Sequence, residues 1–205
     1  MKKILTTAIL CAGLVGFTAC DSFLDEEPKS SLTLDTYYKT SADIIGNVNY
    51  LYRDGAPDKM GNMTGAYRGS SLSVMNMVTG YFVNEYEGQE VDCSYARQLT
   101  RQNFTQSCCN YLTNDTWKGC YKSINVANAV IKYVDGVEMD GQAQYKAEAR
   151  FFRALNYFYL VKMFGDVPMI TEPTEDATLV EYPARTAASE VYKTVIIPDL
   201  QFAVE

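Results

Sequence analysis

The chain has 205 residues, of which 47% are hydrophobic and 21% are charged, a composition typical of a folded globular protein. Its formal net charge of −7 gives a surface that repels nucleic acid and does not attract anionic lipid. The sequence contains no histidine, which excludes imidazole as a metal ligand, as a general base and as a member of a Ser-His-Asp triad.

Residues 1–19 have the pattern of an export signal. Two lysines precede an apolar run over residues 4–17, and the sequence FTAC then ends at Cys20. This stretch resembles a bacterial lipobox in which phenylalanine replaces the more usual leucine, and the resemblance implies cleavage before Cys20 and diacylglycerol on its sulfur. An ordinary signal peptide with an incidental cysteine is the alternative. The apolar run is too short for a membrane span of about 20 residues.

Residues 20–40 are predicted to form a lipid-anchored tether. Loss of residues 1–19 removes two lysines and no acid, so the net charge falls from −7 to −9. The acidic cluster at residues 25–27 resembles the surface-export signal of some Gram-negative lipoproteins, and a solvated tether explains it equally well.

The first predicted helix begins after Thr40 and ends near Arg53. Thr40 and Asp43 have the spacing of a capping box, and apolar residues follow at helical spacing. Residues 55–113 lack a clean period and are rich in Gly, Asn, Thr and Tyr, so we predict long irregular loops there.

Two further helices are predicted to form an antiparallel hairpin. The first follows the N-cap residues 114–116 and ends at Asp135-Gly136, and the second covers residues 142–164 and ends at Gly165. The second helix is expected to bury one apolar face, which consists of Ala143, Ala147, Phe151, Ala154, Leu155, Phe158, Val161 and Phe164.

A loop over residues 165–184 precedes a last helix over residues 186–205. We predict Thr186 as its cap, and we expect Pro198 to kink the helix or to end its first half. Its apolar set is Val191, Tyr192, Val195, Ile196, Leu200 and Ala203. Because no cap or polar tail follows this helix, we interpret the chain as truncated. Trp117 and Val191 begin the apolar faces of two helices about two tetratricopeptide periods apart, but the full W-x2-L-G-x2-Y pattern is absent, so this spacing alone does not establish a repeat.

The loop over residues 81–101 carries the side chains that suit an oligosaccharide. Exposed aromatic rings pack on sugar faces, and amide, carboxylate and guanidinium groups bond ring hydroxyls. The candidate ligand-binding residues are Tyr81, Asn84, Tyr86, Gln89, Glu90, Tyr95 and Arg97. Tyrosine abundance also suits a core or an interface.

Four other polar or aromatic residues have a ligand-binding and a structural interpretation, and we favour the structural one. Arg150 and Arg153 are expected to anchor loops or helix ends, Asn128 to bond a neighbouring helix backbone, and Trp117 to pack in the core.

The cysteines and carboxylates give no defined site. Cys93, Cys108, Cys109 and Cys120 lack CxxC spacing, so we expect no metal, while both disulfides and free thiols stay open. A glycoside hydrolase would need a fixed carboxylate pair, and the candidates lie in one loop: Glu85, Glu87, Glu90 and Asp92. We therefore expect no enzyme activity and no cofactor.

Six motifs occur in an order that resembles the SusD/RagB family of outer-membrane nutrient-uptake lipoproteins. They are Cys20; Phe23-Leu24-Asp25 with Pro28; Trp117-x3-Tyr121-x2-Ile124-x3-Asn128; Glu148-Ala149-Arg150-Phe151-x-Arg153-Ala154-x2-Tyr157-Phe158; Phe164-Gly165-Asp166-Val167-Pro168; and Arg185 with Val191-Tyr192-x3-Ile196-x2-Asp199-Leu200. The resemblance runs from Cys20 to Glu205, with a looser match over residues 55–113. It corresponds to the N-terminal end of the family's pattern, so residues 41–205 are predicted to be an incomplete helical domain.

The resemblance implies a mainly α fold built from tetratricopeptide-like hairpins, and a non-catalytic protein at the cell surface. It would capture glycans or peptides and pass them to a SusC-like TonB-dependent transporter in the outer membrane. The structural signature would be Trp117, Tyr121, Asn128, Glu148, Arg150, Arg153, Gly165, Asp166 and Pro168. A lipid-anchored helical scaffold that binds only proteins is the alternative.

Overall fold

The structure is a computed structural model, and it describes residues 33–53, 79–81, 98, 100–103, 116–174 and 183–205. The described part is mainly helical. Its helices are α1 (Leu34–Tyr37), α2 (Ser41–Arg53), α3 (Lys118–Tyr133), α4 (Gln142–Phe164), α5 (Ala188–Val191) and α6 (Ile197–Val204). A 3-10 turn covers Val134–Gly136, and a π-helical turn over Tyr192–Ile196 joins α5 to α6.

Helix α2 begins where its capping residues predict. The carboxylate of Asp43 accepts hydrogen bonds from the backbone N–H of Thr40 at 2.8 Å and from its hydroxyl at 2.7 Å. These bonds, with the Thr40 hydroxyl first, lower the pKa of Asp43. The predicted helix start and its end at Arg53 are both confirmed.

Helices α3 and α4 form the predicted hairpin, and α4 is the central element. Its predicted bounds are confirmed, because Gly165 adopts φ 70° and its N–H closes the last turn on the carbonyl of Val161 at 2.9 Å. Helix α4 contacts α3, α2, α6 and the π-helical turn. It therefore has partners on several sides.

The predicted apolar face of α4 is wrong in part. Ala154 and Val161 are buried, but Ala143 is exposed and Phe151 and Phe158 are 41% and 36% exposed. The buried residues instead include Ala149, Phe152, Tyr157 and Leu160. Because α4 has apolar residues almost all round, helical spacing alone does not identify the face that its neighbours cover.

Two hydrophobic clusters lie along α4. One joins its C-terminal half to α3, α5 and the π-helical turn through residues such as Ile124, Tyr157 and Val195. The other joins its N-terminal half to α2 and α3 through residues such as Leu51, Val130 and Phe152. Leu155 packs against both clusters, so they form one continuous core along α4.

A short antiparallel ladder closes the loop that follows α4. Strand β1 (Val167–Pro168) pairs with β2 (Arg185–Thr186), with Val167 opposite Thr186. Thr186 is therefore part of a strand, and its predicted role as a helix cap is wrong. The carboxylate of Asp166 instead accepts the N–H of Ala188 at 2.9 Å and satisfies the start of α5.

The last helix does not end at Pro198. The helical path continues from Ala188 to Val204, with the π-helical turn immediately before Ile197 and Pro198. A π turn is a common accommodation where the α-helical ladder is interrupted. Leu200, assigned to the apolar set, is 39% exposed, and Asp199 is buried in its place.

Candidate functional site

The two buried charged residues in the described part of the chain form an ion pair between two helices. Arg153 of α4 donates from Nε to Oδ2 of Asp199 at 2.6 Å and from Nη2 to Oδ1 at 2.9 Å. Arg153 is 8% exposed and Asp199 is 2% exposed. A buried charge of either sign is costly unless it is paired and hydrogen-bonded, and this two-point geometry meets both conditions.

Asn128 of α3 extends the ion pair to the segment after β1. Its Oδ1 accepts a hydrogen bond from Nη1 of Arg153 at 2.9 Å, and its Nδ2 donates to the carbonyls of Ile170 at 3.1 Å and Glu172 at 3.2 Å. The expected partner, a neighbouring helix backbone, is therefore wrong. Asn128 instead binds the irregular segment after β1, where the carbonyls of Ile170 and Glu172 lie outside the β-sheet and need other hydrogen-bond donors.

Two tyrosines bind the same segment. The Tyr121 hydroxyl donates to the carbonyl of Pro168 at 2.7 Å, and the Tyr157 hydroxyl donates to the carbonyl of Ile170 at 2.9 Å while accepting its N–H at 2.7 Å. Burial raises the pKa of Tyr157 to about 12, and burial likewise raises the pKa of Tyr121. Both hydroxyls therefore stay protonated and able to donate.

Asp166 and Arg185 hold together the two ends of the loop between β1 and β2. Nη1 of Arg185 donates to the backbone carbonyl of Asp166 at 3.0 Å, and its guanidinium lies 5.9 Å from the ring centre of Trp117. Trp117 also contacts Phe164 edge-to-face at 5.0 Å and packs against the core. The contacts of Trp117 are those of a core residue, and no sugar-binding role follows from them.

The remaining signature residues lie at the border between α4 and α6. The guanidinium of Arg150 lies 4.1 Å from the ring centre of Phe202, and its Nη1 is 3.8 Å from Oδ1 of Asp199. Glu148 accepts a hydrogen bond from Gln144 of the same helix at 2.8 Å, and the pKa of Tyr52 on α2 is raised by burial first and by Glu148 second. The contacts of Arg150 with Phe202 and of Glu148 with Tyr52 connect α4 to α6 and to α2.

Of the candidate ligand-binding residues, the structure describes one. Tyr81 is 89% exposed, and its N–H donates to the Thr79 hydroxyl at 3.3 Å across a turn in which Gly80 has φ 78°. The other candidates lie outside the described residues; they are Asn84, Tyr86, Gln89, Glu90, Tyr95 and Arg97. So do Cys20 and the carboxylates Glu85, Glu87 and Asp92.

An open groove, which sequence reasoning missed, lies beside α4. Its volume is about 530 Å³, and its apolar lining consists of Tyr52, Ala147, Phe151, Leu200, Ala203 and Val204. Gln144 and Glu148 provide its polar edge. The signal for this groove in the sequence is the pair Ala147 and Phe151, although helical spacing predicts both residues on the buried face of α4.

Cys120 is a free thiol within the core. It is fully buried, and burial raises its pKa to about 12, so it is neither a reactive thiolate nor a partner in a disulfide here. Cys93, Cys108 and Cys109 lie outside the described residues. Among the residues that are described, no three His, Cys, Asp or Glu side chains gather as metal ligands, and no helix is long and apolar enough to cross a membrane.

Comparison with known proteins identifies relatives along nearly the whole chain. A SusD-like family described as "Starch-binding associating with outer membrane" matches residues 22–205. SusD-like protein P2 of Formosa agariphila is 30% identical over the whole chain, which spans 38% of that protein. A SusD-like protein of Bacteroides ovatus is 28% identical over 98% of this chain and 34% of its own length.

A solved structure agrees with these matches. The crystal structure of a SusD superfamily protein from Parabacteroides distasonis superposes with a TM-score of 0.59 and 26% sequence identity, over 78% of this chain and 32% of the other. The chain therefore spans about a third of the length of the relatives it matches. With the family pattern matched from residue 22 to residue 205 and the mainly helical fold shared, the chain belongs to the SusD/RagB family.

Proposed function

We propose that this protein is a non-catalytic binding lipoprotein that captures glycan nutrients at the cell surface and delivers them to a SusC-like TonB-dependent transporter. The observation that carries the proposal is the match of residues 22–205 to a family described as starch-binding and associated with the outer membrane. Peptides are the second ligand class. No cofactor is required.

The export sequence supports a place at the outer membrane. A lipid on Cys20 would anchor the chain, and the tether would be shorter than the predicted residues 20–40, because helix α1 begins at Leu34 and Tyr38 is buried in the core. Each buried methylene of an acyl chain contributes about 0.8 kcal/mol, so a diacylglycerol with a further acyl chain gives stable anchoring.

The described helices support a division between scaffold and binding loops. Side chains of α3 and α4 hold the segment at 168–174 through Tyr121, Asn128 and Tyr157, and these side chains are engaged with backbone groups. A binding role therefore fits the loop at 81–97 better than it fits α4. Tyr81, with an 89% exposed ring, is the described member of that candidate set.

Titration calorimetry of the mature chain with maltoheptaose tests the ligand class. We expect saturable binding of the oligosaccharide and no release of shorter sugars over hours of incubation. A chain that hydrolyses maltoheptaose would contradict the proposal. A chain that binds neither sugar nor peptide but co-purifies with another protein would support the scaffold alternative.

The transporter and the anchor are tested in cells. We expect affinity purification to recover a TonB-dependent transporter, and mass spectrometry to find acyl groups on Cys20. The Cys20→Ala variant should lose both the acyl mass and membrane sedimentation. A wild-type chain without acyl groups would indicate an ordinary signal peptide.

A further inference from the structure

The segment that follows β1 is bound to α3 and α4 through its backbone at every second residue. The bonded residues are Pro168, Ile170, Glu172 and Thr174, and the side chains that bond them are those of Tyr121, Tyr157, Asn128 and Asn125 in that order. In a strand, alternate residues present their N–H and C=O groups to the same neighbour. Side chains of two helices take the place of that neighbour here. We call residues 169–174 the strap.

The strap reverses its direction along α3. It first runs towards the C-terminal end of the helix, where Nδ2 of Asn128 donates to the carbonyls of Ile170 and Glu172 at 3.1 and 3.2 Å. The chain bends at Glu172, and the N–H of Thr174 then donates to Oδ1 of Asn125 at 2.7 Å, about one turn back along α3. The amide of Asn128 therefore binds the strap at its bend.

Polar bonds rather than apolar packing hold most of the strap. Its exposed residues are Thr171, Glu172 and Thr174, its half-buried residues are Met169 and Ile170, and its buried residue is Pro173. When a segment leaves the protein surface, bonds to water replace its hydrogen bonds at a small net cost. Segments with few buried apolar contacts therefore open at a lower free energy than the core.

The ends of the loop between β1 and β2 are held by other groups. The carboxylate of Asp166 accepts the N–H of Ala188 at 2.9 Å, and its backbone carbonyl accepts from Arg185 at 3.0 Å. These bonds involve no atom of residues 169–174. The strap can therefore leave the helices while the β1–β2 ladder stays closed.

We propose that the strap releases from α3 and α4 as one unit while the helices stay folded, and that the amide of Asn128 is the group that holds it in place. The bend makes the bonds interdependent, because Asn128 joins the carbonyls on both sides of Thr171. Without that connection, Thr174 is no longer directed back to Asn125. This inference is independent of the ligand proposed above.

Release of the strap would reach the buried ion pair. Nη1 of Arg153 donates to Oδ1 of Asn128 at 2.9 Å and to the carbonyl of Thr171 at 3.4 Å. The same guanidinium binds Asp199 of α6 through Nε and Nη2. An exposed segment and the buried contact between α4 and α6 therefore share one guanidinium.

One chemical change at two asparagines of α3 tests the role of Asn128. Asn128→Asp replaces the donor Nδ2 by an oxygen, which repels the carbonyls of Ile170 and Glu172. It keeps an acceptor for Arg153, which holds the new carboxylate ionised at neutral pH. Asn125 accepts from the strap through Oδ1, so Asn125→Asp keeps its bond and is the matched control. Both changes add one negative charge to the same helix.

Hydrogen–deuterium exchange of the mature chain, resolved to single amides by NMR, measures release. The N–H groups of Ile170 and Thr174 are the probes, because they bond Tyr157 and Asn125 and not Asn128 itself. We expect both to exchange at least about tenfold faster in N128D than in the wild type, and N125D to leave both rates unchanged. Faster exchange of only one probe in N128D would show that the bonds act separately and would overturn the proposal, as would unchanged rates of both.

The wild type provides a second test that needs no variant. In low concentrations of urea, the free energy of an opening falls in proportion to the surface that the opening exposes. We expect the amides of Ile170 and Thr174 to share one opening free energy with a weak dependence on urea, and the amide of Leu160 in α4 to show a steep dependence. If the strap amides follow the same steep dependence as Leu160, the strap opens only with the whole fold and the proposal is wrong. This result decides the proposal even where N128D destabilises the helices.

Discussion

Arg153 and Asp199 form a two-point ion pair at 2.6 and 2.9 Å although 46 positions separate them in the sequence. Because both side chains are buried, each neutralises a charge that the core would otherwise not tolerate. Asn128 joins the pair to the carbonyls of Ile170 and Glu172, so one polar cluster connects α3, α4, α6 and the loop between β1 and β2. This cluster stabilises the described fold at the point where its elements meet.

The first prediction concerns that ion pair. Changing Asp199 to Asn leaves the guanidinium of Arg153 buried without a counter-charge, so we expect the free energy of unfolding to fall by about 3–5 kcal/mol. Urea denaturation followed by circular dichroism measures the change.

Asp135 provides the matched control for this substitution. It pairs with Lys146, and its side chain is 64% exposed. Asp135→Asn should change the free energy of unfolding by less than about 1 kcal/mol, because a solvated pair contributes little. Equal effects of the two changes would show that burial does not determine how much the Arg153–Asp199 pair contributes to the free energy of unfolding.

The second prediction concerns alkaline pH and Tyr157. Its pKa is raised from 10.0 to about 12 by burial, so the folded state holds the phenolic proton more tightly than the unfolded state. Stability from this group is complete below pH 10 and is lost as pH rises from 10 towards 12. A shift of this size corresponds to a loss of about 2–3 kcal/mol.

Tyr157→Phe should remove this loss. We expect the variant to be less stable than the wild type at pH 8, because the carbonyl and N–H of Ile170 lose their partner. Between pH 9.5 and 11.5, its free energy of unfolding should fall less steeply than that of the wild type. Parallel curves over this range would show that the hydroxyl of Tyr157 does not titrate differently in the two states.

The third prediction compares one chemical change at two glycines. Gly165 has φ 70°, and Gly46 lies inside α2; an added methyl group would meet no atom within 4 Å at either position. Gly165→Ala should therefore destabilise the fold by about 1–3 kcal/mol through backbone strain alone. Gly46→Ala should stabilise it by about 0.5–1 kcal/mol through helix propensity. Thermal melts that moved in the same direction for both variants would contradict this account.

Local signals in the sequence were enough to predict where two helices begin or end. The Thr40–Asp43 cap lies within four residues, and Gly165 ends α4 through its own backbone conformation, so each boundary depends on neighbouring residues. The hairpin of α3 and α4 followed from these boundaries and from the short turn between them. The family motifs also lie mainly in these helices, so the sequence of α3 and α4 is enough to indicate the fold.

Long-range contacts account for what the sequence did not predict. Thr186 resembles a helix cap, but pairing with Val167 takes it into a strand, and Asp166 caps α5 from 22 positions away. The local sequence gives no sign that Asp199 is buried, because its burial depends on the ion pair with Arg153 of another helix. Phe151 fits a buried stripe equally well, and only the positions of α3 and α6 around α4 show that it lies at the surface.

The last prediction concerns Tyr81, the described candidate for ligand contact. Its ring is 89% exposed, so Tyr81→Ala should leave the melting temperature within about 1 °C of the wild type, because surface substitutions change stability little. A pair of aromatic side chains is worth about 0.5–1.5 kcal/mol beyond its buried area, and we take the same range for the contact of the Tyr81 ring with a sugar face. We therefore expect the affinity for maltoheptaose to fall about 3- to 10-fold on titration calorimetry. Tyr81→Phe keeps the ring and should retain most of the affinity, which separates a stacking contact from a hydroxyl contact. An unchanged affinity in Tyr81→Ala, in a chain that binds the sugar, would exclude Tyr81 from the binding site.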